Sequence, residues 1–182
     1  MRILPLLVLT ISTAGIIISP KAHTQEIQLP ENKTYFSVGV PKFVGAQVPH
    51  SAANYVWPKY YFTLNLPADA NQSLGQITIQ QEENIETIQF ELDKTTAFEG
   101  TDNKKGQALE IKEVTQDPQT KTINVSFEPP VPPDTTSSIS LQAKQNPSDG
   151  GIYLFRVNAF PASDNPMGLD LGLGRLQFEK PY

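Results

Sequence analysis

The chain has 182 residues, 38% hydrophobic and 18% charged, with a net charge of −5, no cysteine, two histidines and sixteen prolines. The missing cysteine excludes thiol catalysis, disulfide scaffolds and cysteine-ligated zinc or iron–sulfur centres. The acidic balance excludes a nucleic-acid binder, which needs a basic surface to displace counterions.

Residues 1–24 read as a secretory signal peptide. Arg2 supplies the positive end, an apolar run over 3–18 follows, and Pro20 and Lys21 close it before Ala22-His23-Thr24, where small residues occupy the −3 and −1 positions of a cleavage site. The run has sixteen residues, short of the roughly 20 that span a bilayer, and Pro5 and Gly15 interrupt it. It also lacks the polar face of a core helix. Cleavage after Thr24 removes Arg2 and Lys21, leaving 12 basic against 19 acidic residues and a net charge of −7. The remaining chain, 25–182, reads as one domain. A domain near that size buries roughly 68–70% of its unfolded surface, so packing can stabilise it without disulfides. The expected location is periplasmic or extracellular.

From residue 59 onward a period of two dominates. Tyr60, Phe62, Leu64 and Leu66 alternate with Tyr61, Thr63 and Asn65 and stop at Pro67; Ile77 and Ile79 flank Thr78. Ile88, Phe90 and Leu92 are in phase, Leu109 and Ile111 enclose Glu110, Ile123, Val125 and Phe127 alternate, and Ile139 and Leu141 enclose Ser140. Alternation of this kind sets one face of a strand on a core. Residues 152–160 are apolar on both faces, which predicts a central strand covered on both sides or by the N-terminal segment. A last strand is predicted over 175–180. Turn clusters separate the runs, and Asp117-Pro118-Gln119-Thr120 predicts a hairpin between 111–114 and 123–127. The proline-bearing stretch 30–58 predicts irregular chain with an edge strand at 35–40. No stretch sustains a 3.6-residue period, and even 74–86, rich in Gln and Glu, is countered by the Ile77/Ile79 alternation. The pattern predicts an all-β fold, a single-domain antiparallel β-sandwich of roughly seven to nine strands.

Three blocks carry a family resemblance: F-E-P-P-V-P-P-D-T-T from Phe127, N-P-S-D-G-G-I-Y-L-F-R-V-N-A-F-P from Asn146, and G-L-G-R-L-Q-F ending at Phe178. With Tyr60-Tyr61-Phe62-Thr63-Leu64 and Thr96-Ala97-Phe98-Glu99-Gly100, the chain resembles, over about 35–179, an exported cyanobacterial family catalogued as domain of unknown function 2808. Asp134 stands where the family pattern implies glycine before the Thr-Thr pair, and Ser163 where it implies glycine after Ala-Phe-Pro-Ala. The resemblance implies export and a single domain, and it implies no catalytic residue.

The remaining chemistry is sparse. After cleavage His50, between Pro49 and Ser51, is the only histidine, and reads as a loop residue. Glu82, Glu83 and Glu86, and Glu110 with Glu113, are the carboxylate clusters from which a polysaccharide-active enzyme could draw, given one carboxyl raised by burial. Asp164 and Asp170 flank a glycine-containing loop, and Asp149 lies in the loop preceding 152–160. These three are the candidate calcium ligands, although calcium takes about six to eight oxygens and no EF-hand spacing is present. No other cofactor is implied. Gly172-Leu173-Gly174 is too short to cradle phosphate. Tyr55, Trp57 and Tyr61 are the candidate ligand-binding residues, since exposed aromatic faces on a rigid sheet stack on sugar rings. Against that, alternation sends Tyr60 inward, and Trp57, held extended by Pro58, is expected to plug the end of the sandwich. The leading functional expectation is a non-catalytic exported domain of the cell envelope or extracellular matrix. Its expected partner is an envelope protein or a polysaccharide, with no nucleic acid and no membrane span after cleavage. The rivals are a carboxylate-only enzyme and a calcium-stabilised structural domain.

Overall fold

A computed structural model describes residues 33–180; the expected signal peptide lies outside them. The described residues contain no helix and ten strands: β1 Lys42–Gln47, β2 Lys59–Leu66, β3 Leu74–Gln81, β4 Phe90–Thr101, β5 Lys104–Leu109, β6 Ile111–Gln116, β7 Ile123–Val131, β8 Thr135–Ala143, β9 Gly151–Pro161 and β10 Leu169–Phe178. They form two five-stranded sheets, β1-β2-β8-β4-β5 and β10-β9-β3-β7-β6, antiparallel at every pairing. The sheets share one hydrophobic core, which gives a β-sandwich-like arrangement.

The alternating residues are those that build the core. Tyr60, Phe62, Leu64 and Leu66 of β2 face Ile77 and Ile79 of β3, Val125 of β7 and Phe155 of β9, all 2% exposed or less. Aromatic rings meet edge to face in its middle, Tyr60 with Phe90 at 5.5 Å and Phe62 with Phe155 at 5.4 Å between centroids. Such contacts add about 0.5–1.5 kcal/mol each beyond the area they bury. The hairpin at Asp117 forms as its residues predict: the carboxylate accepts the backbone N–H groups of Gln119 and Thr120, and β6 and β7 pair on either side. Asp134 has φ of 63°, the left-handed region, so the place where the family pattern implies glycine is one that glycine adopts freely.

Ten strands exceed the seven to nine expected, and the differences have physical causes. Leu109 and Ile111 do not share a strand. Leu109 ends β5 against Ala97 in one sheet and Ile111 begins β6 against Phe127 in the other, so the chain changes sheets across Glu110 alone while both apolar side chains stay against the core. The predicted edge strand at 35–40 is absent, and β1 follows it instead. The backbone N–H groups of Ser37 and Val38 are taken by the Asn71 side chain, and Gly39 turns at φ of 56° against the Ala70 backbone, so the segment is latched to the β2–β3 turn rather than laddered. Strand β9 lies between β10 and β3, not at the centre, and its outer face is only partly covered: Ile152 is 47% exposed.

A Cβ on residue 39 would meet the Ala70 backbone directly, in a conformation that side chains resist. Gly39→Ala should therefore lose roughly 2–4 kcal/mol of unfolding free energy in a urea titration, from left-handed strain plus overpacking. A variant as stable as the parent would show that the latch is not formed.

Candidate functional site

Strand β2 begins with Lys59 and Tyr61 on the face opposite Tyr60, because successive strand residues point to opposite sides. On the neighbouring strand β8 the small side chains of Ser138 and Ser140 lie between Tyr61 and Phe98 of β4, and the rings of Tyr61 and Phe98 meet edge to face at 6.2 Å. Lys105 reaches in from β5. Its ammonium stands 5.1 Å from each of the two ring centroids and donates to the Tyr61 hydroxyl at 3.5 Å. Thr63 and Ser138 hydroxyls bond at 2.7 Å beneath, which is how Thr63 and Ser138 are buried on an outward face.

The connection from β1 to β2 completes the site. Pro49, His50, Tyr55, Trp57, Lys59 and Tyr61 line a pocket of ≈ 280 Å³. His50 and Tyr55 stack with centroids 4.7 Å apart and planes 15° from parallel. Tyr55 is 40% and Trp57 56% exposed, so two aromatic faces remain open to solvent.

This connection is held from both sides. The buried Asn146 side chain donates to the His50 and Ala52 carbonyls at 2.7 and 2.8 Å and accepts the Tyr60 hydroxyl at 2.8 Å. Its backbone N–H bonds the Tyr55 carbonyl, and that of Trp57 bonds the Lys144 carbonyl. On the other side Ala53 and Ser51 pair with Glu179, just past β10. Burial pushes the Tyr60 hydroxyl far above the ordinary tyrosine range, so it stays a donor to Asn146 at any physiological pH.

Trp57 corrects the expectation of an extended, core-plugging residue. Its φ is 58° and its indole is exposed. The proline that follows disfavours the right-handed region, but extended geometry is not adopted either, and the residue swings into the left-handed region with its N–H on Lys144. A bulky residue held there stores about 1–3 kcal/mol and persists only where its surroundings over-determine it. Asn54, at φ of 62°, makes the other left-handed turn in the loop, and its side-chain oxygen accepts the Gln145 amide.

The three ligand-binding candidates, Tyr55, Trp57 and Tyr61, line one pocket, but only Tyr55 and Trp57 are exposed; Tyr61, expected to offer an open ring, is 8% exposed, because its ring packs against Phe98 under Lys105. His50, read as an ordinary loop histidine, joins them. Lys59, Lys105 and Asn146 carried no functional reading; only Lys59 had a sequence signal, two residues before Tyr61 and so on its face. The calcium candidates stand differently. Asp170 bonds Arg156 at 2.6 Å and the Gly172 N–H at 2.8 Å, and these partners hold its carboxyl below the usual range. Asp149 faces Lys180 at 3.9 Å, and Asp164 lines a groove with Lys112 and Glu113. Among the described residues no three acidic or histidine side chains gather where a metal could sit. Of the carboxylate clusters, Glu82 pairs with Arg156 at 2.7 Å, and Glu86 accepts the Ser148 hydroxyl and the Ser148 and Asp149 N–H groups. Those bonds lower the Glu86 pKa, the opposite of what a general acid needs.

The family model described as "Protein of unknown function (DUF2808)" matches residues 33–178. The chain belongs to that family. The match spans the sheets and the aromatic pocket of this DUF2808 domain together. No curated protein matches the chain. Among solved structures it is similar to BslA, a bacterial hydrophobin, at TM-score 0.47 and 16% identity, covering 80% of this chain and 98% of that one. It is similar also to ACE19, the collagen binding subdomain of the Enterococcus faecalis surface protein ACE, at 0.48 and 11%, covering 77% and 97%. A third is the cohesin module of a Clostridium perfringens family 33 glycoside hydrolase, at 0.46 and 11%, covering 78% and 98%. No helix among the described residues is long and apolar enough to cross a membrane.

Two measurements test this geometry. Asn146→Ala strips the buried Tyr60 hydroxyl and two carbonyls of their partner, so it should cost about 3 kcal/mol in a denaturant melt and increase acrylamide quenching of Trp57. Glu86 has a folded pKa below its unfolded one. Its contribution is therefore present above the ordinary carboxylate range and is lost as pH falls through the folded value. Glu86→Gln should melt below the parent at pH 7, and the gap should close below about pH 4.

Proposed function

We propose that this domain is exported and acts without catalysis as a glycan-binding module of the cell envelope or extracellular matrix. The leader-like order of residues 1–24 supports export. One observation carries the binding reading: exposed Tyr55 and Trp57, with His50 and Tyr61, are gathered around one pocket by a strained loop that is hydrogen-bonded on both flanks. The negative face of an aromatic ring attracts the slightly positive C–H face of a pyranose. Rings already fixed in place lose little conformational freedom when the sugar arrives, which favours binding over an equivalent set on a mobile loop. A pocket of this size takes one or two sugar rings. Local strain at this loop fits the same reading, because strained backbone persists where its surroundings over-determine it and gathers at ligand clamps.

Trp57 is the only tryptophan, so its fluorescence reports on the pocket without interference. Emission of the free protein should lie at the solvent-exposed end and move to the blue when soluble envelope polysaccharide is added. Trp57→Ala should weaken that binding at least tenfold, yet change unfolding free energy by no more than about 1 kcal/mol, because more than half of the residue is exposed. Blue emission in the free protein, with no response to any polysaccharide, would overturn the proposal.

A further inference from the structure

The charge around the pocket narrows the class of sugar. We infer that the site prefers an acidic glycan, one carrying uronate carboxylates or sulfate esters, over a neutral one. This rests on the sugar-binding reading above. The whole chain carries a net charge of −5, yet the described residues that line the pocket include Lys59 and His50 and no carboxylate. Lys105 adds a second ammonium at the Tyr61 hydroxyl.

Neither lysine is spent on an acidic partner. Among the described residues no ion pair involves Lys59 or Lys105, whereas Lys94, Lys112, Lys144 and Lys180 each face a carboxylate. Lys105 instead lies over Tyr61 and Phe98, a placement that fixes its head beside the aromatic floor and leaves its charge available. Lys59 projects from the same face of β2 as the buried Tyr61, two residues apart, and shares the pocket lining with the exposed rings of Tyr55 and Trp57. A cationic ligand, the other guest that open aromatic faces attract, would meet the like charge of Lys59 in the lining, with that of Lys105 behind Tyr61. A neutral sugar would use the rings and leave both ammonium groups solvated. A uronate or sulfated sugar uses both: its C–H face covers a ring and its anion reaches a lysine.

The protein's overall negative charge opposes approach of any polyanion, but at physiological salt the field of distant carboxylates is screened beyond roughly 8 Å. The lysine contacts act inside that distance, so moderate salt should leave the preference in place.

The test compares oligogalacturonate and a sulfated galactan oligosaccharide with the carboxyl-reduced neutral oligogalactoside of the same length, titrated against the processed protein and followed by Trp57 emission and calorimetry. Poly-glutamate of equal charge serves as the anionic peptide arm. At least one acidic oligosaccharide should bind tenfold or more tightly than the neutral one and than poly-glutamate. In Lys59→Gln the ratio of acidic to neutral affinity should fall at least fivefold, and in Lys59→Gln/Lys105→Gln further still, with melting temperatures close to that of the parent. Equal binding of acidic and neutral oligosaccharides would overturn the acidic preference and leave sugar binding intact. Poly-glutamate binding as tightly as the acidic sugars would overturn it in favour of simple charge recognition. No binding by any oligosaccharide would overturn the sugar-binding reading, and this inference with it.

Discussion

The fold and the site meet at one side chain, the amide of Asn146. It is 2% exposed, and an unpaired amide there would cost free energy on both its oxygen and its nitrogen. Each of its polar atoms is therefore matched: the oxygen to the Tyr60 hydroxyl in the core of β2, the nitrogen to two carbonyls of the loop that carries the aromatic residues. The network is satisfied only in one arrangement of β2, the β8–β9 connection and the 50–57 loop. Its physics is that of any buried polar cluster, which specifies geometry strongly because half-satisfied alternatives are expensive. The position of Trp57 follows from that arrangement, since its N–H bonds Lys144 two residues before Asn146.

The two outward sheet faces are treated in opposite ways. On the β10-β9-β3-β7-β6 sheet a register row runs Thr115, Asn124, Thr78, Asn158, Asp170 across all five strands. These groups bond one another, with Asn158 donating to Thr78 at 3.1 Å and Arg156 joining Glu82 to Asp170. Their hydrogen-bonding capacity is largely used internally, and the face is a solvated exterior. On the β1-β2-β8-β4-β5 sheet the corresponding face holds Tyr61, Phe98 and Lys105 over small hydroxyl residues, and it runs into an open aromatic pocket. Tyr61 and Phe98 are themselves buried there, and the exposed rings are those of Tyr55 and Trp57 in the adjoining loop.

What could be read from the sequence follows the strength of one-sided burial. Strand β2 is legible because Tyr60, Phe62, Leu64 and Leu66 sit wholly inside, which forces a period of two on the amino-acid types. Edge strands β1 and β5 are not. KFVGAQ and KKGQAL have no fully buried residue, so nothing in their composition records which side faces the core. Their lysines instead suit unpaired edges, where charge discourages pairing with other chains. In the site, Tyr55, Trp57 and Tyr61 could be named from their chemistry. Lys105 and Asn146 could not, since Lys105 reaches Tyr61 from across the sheet and Asn146 looks like any asparagine before a proline in a turn. Long-range partners set those roles, with 86 residues separating Asn146 from Tyr60.

Trp57 shows why local rules fail at such a site. Pre-proline sterics argue for an extended residue, and they are overridden by hydrogen bonds that the loop makes to segments far along the chain. Returning Trp57 to extended geometry would withdraw its N–H from Lys144 and move the register of the loop against Asn146. The strain of one residue is smaller than the cost of leaving that buried amide unmatched, about 1–3 kcal/mol for each orphaned group. The network therefore imposes the left-handed turn, and the turn in turn directs the indole outward beside Tyr55 and His50. An exposed tryptophan on this protein is then a consequence of how its core polar group is satisfied. Its exposure is built into the same interactions that keep the two sheets' connections in place.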